Sequence, residues 1–143
     1  MNFEDLKKYG KEVDGRWNFD MRIDLSIILG SEIPFKFGII NGDFDCSCNE
    51  LTSLEGCPIE VNGNFNCRYN RLTSLKGGPT RVSGNFNCSQ NQLTSLNGCP
   101  TRVGGFFDCS HNNLDSLDDI PVEVGGYFDC SHNNLILIEG EKV

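Results

Sequence analysis

Apolar positions recur along most of this chain with a period of neither 2 nor 3.6 residues but 21. Phe44, Phe65, Phe86, Phe107 and Phe128 form one column, and Cys46, Cys67, Cys88, Cys109 and Cys130 a second. Leu51, Leu72, Leu93, Leu114 and Leu135 follow, then Pro58, Pro79, Pro100 and Pro121, then Val61, Val82, Val103 and Val124. A fixed period of this size is the signature of a stacked repeat, in which each unit buries its apolar side only against its neighbours. The units are 42–62, 63–83, 84–104 and 105–125, with a shortened fifth at 126–140 and a tail at 141–143. Alternation at Phe and Cys predicts a short strand with both side chains turned inward. Asn49, Asn70, Asn91, Asn112 and Asn133 follow it, and their amides are expected to turn inward and satisfy the backbone where the chain bends.

Residues 1–41 depart from this pattern yet stay in register with it. Ile23 and Leu25 stand 21 residues before Phe44 and Cys46, and Ile40 stands 21 before Val61, which predicts a degenerate first repeat. Trp17, Phe19, Met21, Ile23 and Leu25 alternate without a break, so one longer strand is expected there. Ahead of it, Asn2 is placed to cap a short helix carrying Phe3, Leu6 and Tyr9. This segment is expected to serve as the polar cover that a terminal repeat needs. At the other end 136–143 is short, a minimal cap at most, and self-association through that end is an open expectation.

The repeat reads G-x-F-[ND]-C-x-x-N-x-L-x-S-L-x-x-x-P-x-x-V-x. Its core, F-x-C-x-x-N-x-L, resembles the L-x-L-x-x-N-x-L motif of leucine-rich repeats, with Phe and Cys where that family carries Leu. The continuation, as in NQLTSLNGCPTRV, is similar to the short FxCSxNxLTSLxGxPxxV arrays of tailed bacteriophages and bacteria. The resemblance implies a leucine-rich-repeat-like curved solenoid, with a short parallel β-sheet on its concave face and an irregular or extended convex side. It also implies recognition of a partner rather than a reaction, for instance by a host-directed inhibitor or anti-defence factor. Bacterial proteins with similar repeats sometimes carry a separate ubiquitin-ligase domain with a catalytic cysteine; with only 141–143 after the repeats, none is expected here.

Composition adds limits. At 143 residues, 38% hydrophobic and 22% charged, the chain suits one globular domain. No apolar run approaches the roughly 18–20 residues of a membrane span. The opening MNFEDLKKYGKEVDG lacks an apolar signal region, so a cytoplasmic location is expected, in the host if phage-encoded. A net charge of −8 argues against generic nucleic-acid binding.

Eight cysteines in a small chain would suggest disulfides, but five of them mark one repeat position. They are expected to be reduced and packed as small apolar groups, with Cys57 and Cys99 in a second packing column. Cys48 falls in a variable column with Tyr69, Gln90, His111 and His132, where an exposed thiol is expected.

The hexapeptide DCSHNN, at 108–113 and 129–134, joins an acid, a thiol, a hydroxyl and an imidazole. C-x-H lacks the paired spacings of a zinc site, so no metal or other cofactor is expected. Ser110 and His111 lack an orienting third group and a pocket, so no catalytic residue is assigned. The variable positions are a better candidate for partner binding. On the outward side of the strands they are Asp43, Asn64, Asn85, Phe106 and Tyr127; Asp45, Asn66, Asn87, Asp108 and Asp129; and Ser47, Arg68, Ser89, Ser110 and Ser131. Partner contacts are therefore expected from Arg68, Tyr69, Phe106, Asp108, His111, Tyr127, Asp129 and His132. Residues 63–104 carry five basic side chains and no acid. Stacking accounts for them through expected Glu50–Arg71, Glu55–Lys76, Glu60–Arg81 and Arg102–Glu123 pairs. The partner read from this surface is a protein. A structural or assembly protein, or a binder of a small molecule, nucleotide or metal, remains as an alternative.

Overall fold

The computed structural model describes residues 2–136. A short helix α1 (Phe3–Leu6) leads into a 3-10 turn (Lys7–Tyr9). Thirteen strands follow: β1 (Gly10–Val13), β2 (Arg16–Phe19), β3 (Ile23–Asp24), β4 (Phe37–Ile40), β5 (Phe44–Asp45), β6 (Glu60–Val61), β7 (Phe65–Asn66), β8 (Arg81–Val82), β9 (Phe86–Asn87), β10 (Arg102–Val103), β11 (Phe107–Asp108), β12 (Glu123–Val124) and β13 (Phe128–Asp129). From β3 onward the chain alternates between two sheets. One runs β3-β5-β7-β9-β11-β13 and holds the phenylalanine column; the other ends β4-β6-β8-β10-β12 and holds the valine column. Both stack in parallel with partners 21 residues apart, as in Phe44↔Phe65 and Val61↔Val82. The protein is a parallel β-solenoid of about five turns with a helical N-terminal cap.

Two-residue strands have no stability of their own, so the columns must supply it. Phe44, Phe65, Phe86 and Phe107 are fully buried, with Leu51, Leu54, Leu72, Leu75, Leu93 and Leu96 behind them. Burial is worth about 1.5–3 kcal/mol for each such side chain. The rings stack at 5.8, 5.3, 5.1 and 5.0 Å from Phe44 to Phe128. The asparagine column does what its position predicts. Asn91 Nδ2 donates to the Cys67, Cys88 and Ser89 carbonyls, and its Oδ1 accepts from Leu72 N–H at 3.0 Å.

Of the two forms expected for the side opposite the phenylalanine strands, irregular or extended, the chain takes the extended one: the valine column forms a second parallel sheet, with Val61↔Val82 and Val82↔Val103 in register. Two sequence expectations need correction. The longer strand expected from Trp17 to Leu25 is two strands in different sheets, β2 and β3. The chain turns at Asp20–Met21, the place where later repeats have Asn41–Gly42 and Asn62–Gly63, and Met21 is 39% exposed. Period-two alternation passes through this corner without marking it. Of the four expected ion pairs, Arg71–Glu50 (3.6 Å) and Arg102–Glu123 (3.5 Å) form. Glu60–Arg81 and Glu55–Lys76 are not within ion-pair distance. All four groups of the formed pairs are well exposed, so they contribute about 0–1 kcal/mol each.

The cap contains a hairpin that the hydrophobic pattern does not show. β1 pairs antiparallel with β2 through Val13↔Arg16, closed by Asp14 (φ 52°) and Gly15 (φ 80°). Positive φ at both loop residues gives the primed two-residue turn that matches strand twist. The exposed, charged β1 covers the N-terminal edge of the valine sheet, and Asn2 caps α1 by accepting from Glu4 N–H. Phe3 and Phe35 stack at 5.4 Å, closing the core at this end. The expected C-terminal cap at 136–143 and the end of the fifth repeat lie, beyond Ile136, outside the described residues.

Candidate functional site

The outer side of the phenylalanine sheet is built by one local device used six times among the described residues. The side-chain oxygen of Asp24, Asp45, Asn66, Asn87, Asp108 or Asp129 accepts from the backbone N–H two residues on, at 2.9–3.1 Å. Such a turn sends the chain off the sheet and into the next corner. Where serine follows, its hydroxyl donates to the same oxygen at 2.6 Å, as Ser110 does to Asp108. Ser110 is only 5% exposed, so the outward position read for it from sequence is closed by its own turn. Asn66 and Asn87 do this work with an amide oxygen. The frame therefore requires an acceptor here, and the negative charge of Asp108 and Asp129 is additional to that requirement. Hydrogen bonds from the Ser131 hydroxyl and N–H hold the Asp129 carboxyl below the usual carboxylate range, against the opposing effect of burial; nearby His132 and His111 lower it further by lesser amounts.

A second device runs through the residue before each strand. Asp43 Oδ1 accepts from Asn64 N–H (2.8 Å), Asn64 Oδ1 from Asn85 N–H (2.8 Å), and Asn85 Oδ1 from Phe106 N–H (3.0 Å). There the ladder stops. Phe106 has no acceptor to offer Tyr127. In its place the Phe106 and Tyr127 rings stack outside the sheet at 5.0 Å and 14°, with Tyr127 63% exposed. These aromatics have replaced polar side chains that bridge the preceding turns.

The corner after each strand carries the third feature. Ile27, Cys48, Tyr69, Gln90, His111 and His132 all have φ between 53° and 58°. This left-handed backbone costs a non-glycine residue about 1–2 kcal/mol, yet none of the six is glycine. His111 and His132 stack at 4.1 Å and 8°. The Arg68 guanidinium lies 4.6 Å over the Tyr69 ring, and its Nε is shielded from solvent without a hydrogen-bond partner. Tyr69 is 44% exposed, and Cys48 is exposed as its column suggested.

Of the eight residues expected to contact a partner, Phe106, Asp108, His111, Tyr127, Asp129 and His132 fall together on the last two turns. Arg68 and Tyr69 lie on the same face two turns away. Other chemistry is used up internally. Ser110 donates to Asp108 rather than to an imidazole. The Cys67, Cys88 and Cys109 thiols are pushed up chiefly by burial, and that of Cys99 to about 11. They act as packing groups, all in the free form. Among the described residues no group of three or more His, Cys, Asp or Glu side chains is placed to hold a metal, and no helix is long and apolar enough to cross a membrane.

A cleft of about 590 Å³ lies elsewhere, between the β1–β2 turn and the 31–36 loop. Its Arg16 is already engaged, donating to the Phe37 and Cys57 carbonyls. No protein-family model, no curated protein and no solved structure matches the chain.

Proposed function

We propose that this solenoid is a non-catalytic protein-binding module whose contact surface is the outer face of the phenylalanine sheet at repeats four and five. The observation that carries this reading is the interrupted ladder. Asn64 and Asn85 show what the frame uses before each strand, and Phe106 and Tyr127 replace it with a stacked aromatic pair in which Phe106 is half-buried and Tyr127 exposed. Exposed aromatics with polar neighbours are the composition of an interface hot spot. A narrower reading, a phage or bacterial factor that inhibits or modulates a host protein, rests on the resemblance of the repeats alone.

The test is affinity capture with the wild type, with Phe106→Asn/Tyr127→Asn, and with Arg81→Ala on the valine sheet as a control. A single protein held by the wild type and the control, and lost by the double variant, is the expected result. Equal capture by all three would remove this face from the binding reaction. Self-association with no captured protein would favour an assembly role.

A further inference from the structure

We propose that the face formed by Phe106, Tyr127, Asp108 and Asp129 takes a cationic, arginine-bearing segment of the partner protein. The inference rests on the binding role argued above and gives its partner a chemistry. Charge complementarity selects the occupant. Residues 105–136 contain six carboxylates and no lysine or arginine, whereas 63–104 contain five basic side chains and no acid. The solenoid thus changes sign along its axis, and its outer aromatic pair stands on the negative side.

Asp108 and Asp129 are neighbours in register on adjacent strands. Their turns need one acceptor oxygen each, an amount that Asn66 and Asn87 supply without charge. Each aspartate therefore presents a negative charge that the fold does not call for, two residues along the strand from a ring of the outer stacked pair. A guanidinium is the side chain suited to both features, since its flat face stacks on an aromatic while its edge N–H groups meet a carboxylate. The chain already contains the first half of this contact, with Arg68 lying over Tyr69.

The other negative part of the same face serves as an internal control. Asp24, Asp43 and Asp45 provide carboxylates on the leading turns, but the ring between them, Phe44, is fully buried and none stands on the outer side, and Asp24 has Arg22 at 3.5 Å. Charge alone would treat the two ends alike; a guanidinium seeking a ring would not. A symmetric contact between two copies of this chain is disfavoured at the aromatic end, because the same carboxylates would face each other.

The experiment is an amide NMR titration of the full chain with octa-arginine, with octa-glutamate as the opposite-charge probe, at low and at physiological salt. The expected result is saturable shifts for octa-arginine confined to β11, β13 and the His111 and His132 corners. Phe106→Asn/Tyr127→Asn should weaken that binding at least tenfold with its unfolding midpoint retained, while Asp45→Asn changes it less than twofold. Shifts spread evenly over both acidic ends and unaffected by the double variant would overturn the proposal, as would absence of saturable binding. A concentration-dependent dimer broken by the double variant would assign the face to a second copy instead. If a protein captured through Phe106 and Tyr127 is not displaced by octa-arginine, the binding role stands and this chemistry falls. If the double variant alters neither capture nor titration, both fall.

Discussion

Repeats two and three and repeats four and five share one backbone, one register and one core, and differ on their outer side. In the first pair, Asn64 and Asn85 bridge successive turns and Asn66 and Asn87 close the strand ends. In the second pair the closing residues are charged, and the bridging residues have become Phe106 and Tyr127. The comparison separates what the solenoid requires from what it permits. Inward positions hold the same residue types in both pairs. Outward positions change chemistry while the turns they belong to keep the same geometry.

The sharpest way to break this comparison is to exchange inner and outer aromatics. Phe107→Ala removes a fully buried ring from the central stack and should cost about 3–5 kcal/mol in denaturant unfolding. Truncating its neighbour Phe106, whose ring lies on the outside, should cost far less. A loss of similar size is expected from Asn91→Ala, about 3 kcal/mol or more, because several buried backbone groups lose their partner together. If Asn91→Ala unfolds within 1 kcal/mol of wild type, the asparagine column is not the brace described above.

A smaller effect sharpens the corner column. His111→Gly relieves a left-handed backbone, so unfolding should show stability unchanged or raised by up to about 1 kcal/mol. A clear loss would mean that the stacked imidazoles hold the last turns together. The smallest effect concerns Asp129. Its carboxyl titrates lower in the folded chain than in the unfolded one, so it favours folding above the unfolded value of about 4. That contribution is lost as pH falls through the lower folded value. Carboxyl NMR should place the Asp129 midpoint below 3.8 in the wild type, and Ser131→Ala should move it upward.

The core was legible in the sequence because inward positions admit few side chains and repeat every 21 residues; Phe44, Asn70 and Val82 each announce their role by column. What the sequence concealed lay where one pattern serves two geometries. Met21 continues an alternation across a corner, and the β1–β2 hairpin rests on the Asp14–Gly15 turn after a first strand, Gly10–Val13, that carries no apolar stripe. The second sheet was hidden because only one residue per repeat, the valine, marks it from inside. The candidate face was visible as a set of variable columns. That Ser110 is closed by its own turn, and that Phe106 ends a hydrogen-bonded ladder, depends on side-chain geometry that spacing does not encode.

The central claim is that the outer aromatics of repeats four and five are surplus to the fold. Denaturant unfolding of Phe106→Asn/Tyr127→Asn beside the wild type tests it most directly. Asparagine at 106 can extend the ladder seen at Asn64 and Asn85, offsetting a lost stacking contact worth about 0.5–1.5 kcal/mol. The double variant is expected to unfold within about 1 kcal/mol of wild type. A loss of about 3 kcal/mol or more would show that these rings belong to the core and would contradict it.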